Sequence, residues 1–180
     1  MLTELQFRKW TRLFQVYDAN GNGTIERADL EQNFNNVAAA GNITPGTPLY
    51  GIMHARFVEN WEKMQKAADL NNDGKIELQE WLEYVDRQLA NPGDYQEMVA
   101  TVGRMFDLFD LNGDGIVSLE EYKAFYRCWR LPEPLAEEVF PKLDLNSDGV
   151  ISKDEFLELA GQFHLSDDPD APGNFLFGAY

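Results

Sequence analysis

Three stretches of this chain place oxygen-bearing side chains at alternate positions, then a glycine, then a glutamate six residues on. They are DLNNDGKIELQE from Asp69, DLNGDGIVSLEE from Asp110 and DLNSDGVISKDE from Asp144. A fourth, DANGNGTIERAD from Asp18, starts the same way and ends in Asp29. Such a set of donors suits a hard divalent cation. Calcium takes roughly 6–8 oxygen ligands at about 2.3–2.6 Å, and a short loop with oxygens at its first, third and fifth positions can wrap them around one point. The sixth position must turn with positive φ, which glycine does without a Cβ clash; Gly23, Gly74, Gly115 and Gly149 stand there. The seventh gives a backbone carbonyl, the ninth acts directly or through water, and the twelfth closes the shell with a carboxylate.

The candidate ligands follow. Loop one offers Asp18, Asn20, Asn22, Thr24, Glu26 and Asp29. Loop two offers Asp69, Asn71, Asp73, the carbonyl of Lys75, and Glu80; Glu77 adds a charge at its ninth position, partly offset by Lys75. Loop three offers Asp110, Asn112, Asp114, Ile116 and Glu121, and loop four Asp144, Asn146, Asp148, Val150 and Glu155. Loops two to four read as calcium sites. Asp29 is one methylene shorter than Glu and more readily gives one oxygen than two. That favours six ligands and a smaller ion, so loop one reads as a mixed site for magnesium or weaker calcium, with Glu26 compensating for Asn20 and Asn22. Filling four sites would take the formal charge from −16 to about −8 (−16 + 4×2).

Helices must hold these loops. Apolar residues recur at three- or four-residue steps before each: Phe7, Trp10, Phe14 and Tyr17; Phe57, Trp61, Met64 and Ala68; Met98, Val102, Met105 and Phe109; Leu135, Val139 and Leu143. Outgoing helices carry Leu30 and Phe34, Trp81 and Tyr84, Tyr122 and Phe125, and Phe156 and Leu159. The eighth loop positions, Ile25, Ile76, Val117 and Ile151, are β-branched and suit a short strand shared by two loops. The expected fold is all-α: two pairs of helix–loop–helix units in one compact globule, with an antiparallel β-ribbon between paired loops. The expected boundaries are 1–90 for the first pair, 91–165 for the second and 166–180 for a tail packed on the bundle. AAAGNITPGTPLYG is expected to be an irregular connection, and RQLANPGDYQ a turn that brings the halves together.

Composition narrows the partners. Against 15 Lys and Arg stand 31 Asp and Glu, a balance that repels phosphate backbones and anionic lipid. Neither nucleic acid nor a membrane is expected as a partner, and no apolar run approaches the ~18 residues needed to span a bilayer. The first residues read as an amphipathic helix rather than a signal sequence. Cys128 is the only cysteine, which fits a reducing, cytoplasmic setting. Among Arg127 and Arg130 it reads as a small buried hydrophobe. His54, on the apolar face of its helix, reads as a buried, satisfied histidine. The carboxylates are already assigned to ions, and neither a phosphate-binding glycine loop nor a His/Cys cluster is evident, so no enzyme is expected.

The four loops and their flanking helices, over about positions 5–165, resemble the EF-hand superfamily. RADL at Arg27–Leu30, the long gap before loop two, and SDDPDAPGNFLFG from Ser166 are similar to the sarcoplasmic calcium-binding proteins and calerythrin. That resemblance implies a compact cytosolic, monomeric Ca2+/Mg2+ buffer, with up to four calcium ions because loop two is intact. Two alternatives stay open. One is a calcium sensor that binds a target protein, although only five Met are present to line a groove. The other is a carrier of an apolar small molecule, as in luciferin-binding proteins.

Overall fold

The computed structural model describes residues 1–91, 93, 105–107 and 109–178. The first helix, α1 (Glu4–Tyr17), starts where its sequence caps it: the Thr3 hydroxyl accepts the Gln6 N–H, and the Gln6 side chain accepts the Thr3 N–H. After loop one come β1 (Thr24–Ile25) and α2 (Arg27–Ala40). Thr47 caps α3 (Pro48–Ala68), with Pro48 in the first turn, where a missing N–H costs nothing. Then follow β2 (Ile76–Glu77) and α4 (Leu78–Ala90). Residues 105–107 and 109 are helical. Beyond them lie β3 (Ile116–Ser118), α5 (Leu119–Cys128), α6 (Glu133–Leu143), β4 (Val150–Ser152), α7 (Lys153–Leu165) and a 3-10 turn at Pro172–Phe175. Ser118 and Ser152 cap α5 and α7 through reciprocal bonds with Glu121 and Glu155, so the residue that closes each loop also starts its helix.

The ribbons pair loop one with two and three with four. Ile25 faces Ile76 in one, and Val117 faces Ile151 in the other. All four side chains are buried, which fixes the register of each ribbon.

An aromatic chain crosses the interior. Trp10 on α1 meets Trp81 on α4 at 5.9 Å and Phe163 on α7 at 5.4 Å between ring centres. The Trp81 indole N–H also donates to the Trp10 carbonyl at 2.9 Å. Tyr17 then links Trp81 to Trp129, each at 5.8 Å, and Phe125 stacks on Phe109 at 4.0 Å. Such pairs add about 0.5–1.5 kcal/mol each beyond the area they bury. The residues from Ala171 onward close over this core: Asn174, Leu176 and Phe177 are buried, and Lys142 sits over the half-buried Phe175 ring.

Several sequence expectations change. Phe7 is exposed, and α1 instead buries Lys9, whose ammonium bonds to the Ser166 carbonyl and the Asn174 side chain. The connection between the first two hands is irregular only over residues 41–47, because α2 runs on to Ala40 and α3 starts at Pro48. His54 is not buried; it is half exposed, pairs with Glu31 at 2.8 Å and lies against Phe34. The first four residues of RQLANPGDYQ are the end of α4 rather than a turn, while Pro92 and residues 94–96, with Met98, Val102 and Tyr180, lie outside the described residues. Among the described residues no helix is long and apolar enough to cross a membrane.

Candidate metal centre

All four loops share one hydrogen-bond frame. At the first position, the two carboxylate oxygens accept the N–H groups of the fifth and sixth residues. Asp18 takes those of Asn22 and Gly23 at 3.1 and 2.8 Å, and Asp69 those of Asp73 and Gly74 at 3.2 and 3.0 Å. Asp110 does the same with Asp114 and Gly115, and Asp144 with Asp148 and Gly149. The third-position oxygens of Asn20, Asn71, Asn112 and Asn146 accept from the fifth-position N–H at 2.8–2.9 Å. The fifth-position oxygens of Asn22, Asp73, Asp114 and Asp148 accept from the seventh-position N–H groups of Thr24, Lys75, Ile116 and Val150. The glycine at the sixth position has φ between +87° and +89° in every loop, a conformation side chains with a Cβ rarely take.

The twelfth position ties each loop shut. Glu80, Glu121 and Glu155 reach back with one oxygen to the N–H of Asn71, Asn112 and Asn146 at 3.2–3.3 Å. Their other oxygen takes the ninth-position N–H at 2.8–2.9 Å. Asp29 makes the same two bonds, to Asn20 at 3.2 Å and Glu26 at 2.9 Å, and also accepts the Asn20 side-chain amide at 2.9 Å. These four carboxylates are buried, and among the described residues none pairs with Lys or Arg. Burial raises the pKa of Asp29, against the N–H bonds from Glu26 and Asn20 that lower it; the nearby charges of Asp18 and Glu26 raise it further.

With the carboxylates drawn onto backbone N–H groups, no three acidic, His or Cys side chains among the described residues close on a single ion-sized point. The donor set nonetheless fits a hard cation. It is all oxygen, its twelfth-position acids are buried without a Lys or Arg partner among the described residues, and oxygens that accept a single bond, such as Asp29 Oδ2 and Glu80 Oε2, keep a lone pair for an ion. A divalent ion held there would supply the compensating charge.

Two local charges differ from the sequence reading. Lys75 reaches across the ribbon to Glu26 of loop one at 3.7 Å, so it offsets the neighbouring loop rather than Glu77. The ninth-position carboxylate of loop one thereby holds both Lys75 and the Asn22 amide. Cys128 is buried, and burial lifts its thiol pKa against the lowering charge of Arg127. Arg130 points elsewhere, its guanidinium donating to the Ala19 carbonyl in loop one at 2.7 Å. Sequence reasoning also missed Lys9 and His164, which lie deep in the core. His164 sits against Trp10, and burial lowers its pKa to about 4. A basic residue on an apolar helix face was the one available signal for both.

Comparison with known proteins agrees with the loops. The EF-hand domain pair family matches residues 59–127, and the EF hand family matches residues 11–34 and 135–160. Sarcoplasmic calcium-binding proteins I, III and IV of Branchiostoma lanceolatum are 24% identical over 135 residues, covering 72% of this chain and 73% of theirs. Calerythrin of Saccharopolyspora erythraea is 24% identical over 143 residues, 78% of this chain and 81% of its own. The calcium-loaded apo form of the coelenterazine-binding protein from Renilla muelleri superimposes with a TM-score of 0.78 at 27% identity, over 99% of this chain and 100% of that one. The Branchiostoma proteins are named for calcium binding and the Renilla protein for coelenterazine binding. Four loops with one frame, joined in two ribbons and matched along the chain, make this a calcium-binding member of the EF-hand superfamily, in the group of the sarcoplasmic calcium-binding proteins and calerythrin.

Proposed function

We propose that loops two, three and four each take one calcium ion, that loop one takes calcium or magnesium, and that ion loading governs a second binding event beyond buffering. The observation that carries the ion sites is the common frame. In each loop the first and twelfth carboxylates are already held by backbone N–H groups, so binding need not order them from a free chain. Residues 1–90 and 91–165 act as two ion-binding pairs, and the tail from 166 clamps them. Calorimetric titration with calcium, repeated in millimolar magnesium, tests this reading. Four calcium sites are expected, one of them suppressed by magnesium. Two sites or fewer would sink it.

A pure buffer needs nothing beyond the loops. Likeness along nearly the whole chain to a coelenterazine-binding protein favours instead a calcium-responsive carrier of an apolar molecule. The Trp10 indole N–H and Thr11 hydroxyl support it, being buried without a hydrogen-bond partner among the described residues. Coelenterazine itself is the first probe, titrated with calcium and with chelator. A carrier shows an affinity that changes with calcium; a buffer shows no binding in either state.

A further inference from the structure

Behind loop one, α1 and the turn between α5 and α6 enclose a cleft of about 370 Å3. In a chain of net charge −16, two arginines, Arg12 and Arg130, line this one cleft, and the Arg12 guanidinium also lies beside Gly178 of the tail. Neither makes an ion pair among the described residues. The Arg12 Nε and the Trp129 indole Nε1 are buried and find no acceptor there, and Trp129 is only 6% exposed. A buried donor without an acceptor loses its hydration with nothing in return, so a ligand that accepts from it is favoured. The rest of the wall sets an apolar patch of Val16, Leu131 and Leu135 beside the polar side chains of Gln15, Asp18 and Asn33.

We propose that this cleft binds a small carboxylate with an apolar body, its anionic head held by Arg12, Arg130 and the Trp129 N–H. A guanidinium fork matches a carboxylate's two oxygens, and an indole N–H adds a third donor. The apolar patch takes the rest of the molecule.

The backbone at Arg130 gives a clean way to test its side chain. Arg130 has φ +55°, in a helix-ending turn where the Leu131 N–H bonds to the Tyr126 carbonyl at 2.8 Å. Glycine is the usual residue there, because a Cβ crowds the neighbouring carbonyl in this left-handed conformation. Replacing Arg130 by glycine therefore removes the guanidinium while relieving the backbone.

The cleft also touches loop one. Asp18 and Ala19 form part of its wall, and the Arg130 guanidinium donates to the Ala19 carbonyl. With loop one empty, the Asp18 charge opposes an anion in the cleft; a divalent ion offsets that charge. Carboxylate and cation therefore strengthen each other's binding, by the same factor in both directions. This coupling, unlike the carboxylate site, rests on loop one taking an ion.

The test uses the full chain, 15N-labelled, titrated with 2-naphthoate and with uncharged 2-naphthamide while the indole N–H signals are followed. Naphthoate is expected to move the Trp129 signal and to bind at least tenfold tighter than the amide. Arg130→Gly is expected to weaken naphthoate at least tenfold with the melting temperature kept or raised. If that variant melts lower, the same titration on Arg12→Gln decides. Equal binding of acid and amide, an unmoved Trp129 signal, or unchanged affinity in the arginine variants overturns the site. In chelator, naphthoate should bind several-fold more weakly than with calcium. Equal affinities with loop one filled by calorimetry overturn the coupling, whereas calorimetry that leaves loop one empty fails the ion reading and not the cleft.

Discussion

Asp29 closes loop one with one methylene fewer than Glu80, Glu121 or Glu155, yet it bonds to the same two backbone N–H groups as they do. It also takes the Asn20 amide, while Glu26 beside it is shared between Asn22 and Lys75. A shorter acid that is already engaged presents one oxygen to an ion more readily than two, which suits six-fold coordination. Asp29→Glu should raise the calcium affinity of loop one and weaken magnesium competition there, by about tenfold in their ratio. Calorimetry with and without magnesium reads this, and an unchanged ratio would remove Asp29 as the selector. The loop frame was legible in the sequence because residue type at fixed local spacing sets its hydrogen bonds, those of the first, third, fifth and twelfth positions. Lys75 was misread because its partner lies across a ribbon, and ribbon register is tertiary information. The cleft of Arg12 and Arg130 was invisible for the same reason, since no local period links residues so far apart.

At the level of elements, the helix frames were largely legible, and the errors fell at their edges. Phe7 fits the apolar period of α1 but stands one turn before the helix enters the core, so it is exposed. Lys9 and His164 broke the expectation that buried helix faces are apolar. Their partners come from the tail and from carbonyls that no pattern announces: Asn174 and Ser166 for Lys9, Ala160 for His164. The tail docks closely. A Cβ on Gly173 would overlap the Leu159 carbonyl and the Gln162 side chain. Gly173→Ala should therefore destabilise the protein by about 1–3 kcal/mol, seen by denaturant melting with calcium in excess. His164 gives a pH signature. Its folded pKa is lowered from 6.5 to about 4, chiefly by burial. Stability is thus full above pH 6.5 and declines as pH falls from 6.5 through 4, because the unfolded state takes up the proton first. The fall amounts to about 3 kcal/mol, and the difference between wild type and His164→Gln over that range isolates it from the carboxylates.

Across the whole molecule, excess negative charge and ion binding set stability together. Sixteen net negative charges repel one another in the ion-free chain, and ions that bind only the folded form stabilise it by mass action. At a hundredfold excess over Kd, each site contributes about 2.7 kcal/mol. Thermal melting by circular dichroism should shift upward strongly with calcium and fall back with chelator, and equal midpoints would contradict that linkage. The bond from Lys9 to Asn174 has a consequence in time. Each ribbon joins residues separated by 51 or 34 positions (76−25 and 151−117), whereas that bond spans 165. Closing the longest loop costs the most chain entropy and rewards nothing until both ends are in place. A refolding chain can zip either ribbon early, but Lys9 must wait with its ammonium in water until the tail arrives. The last act of assembly is then the desolvation of a single charge.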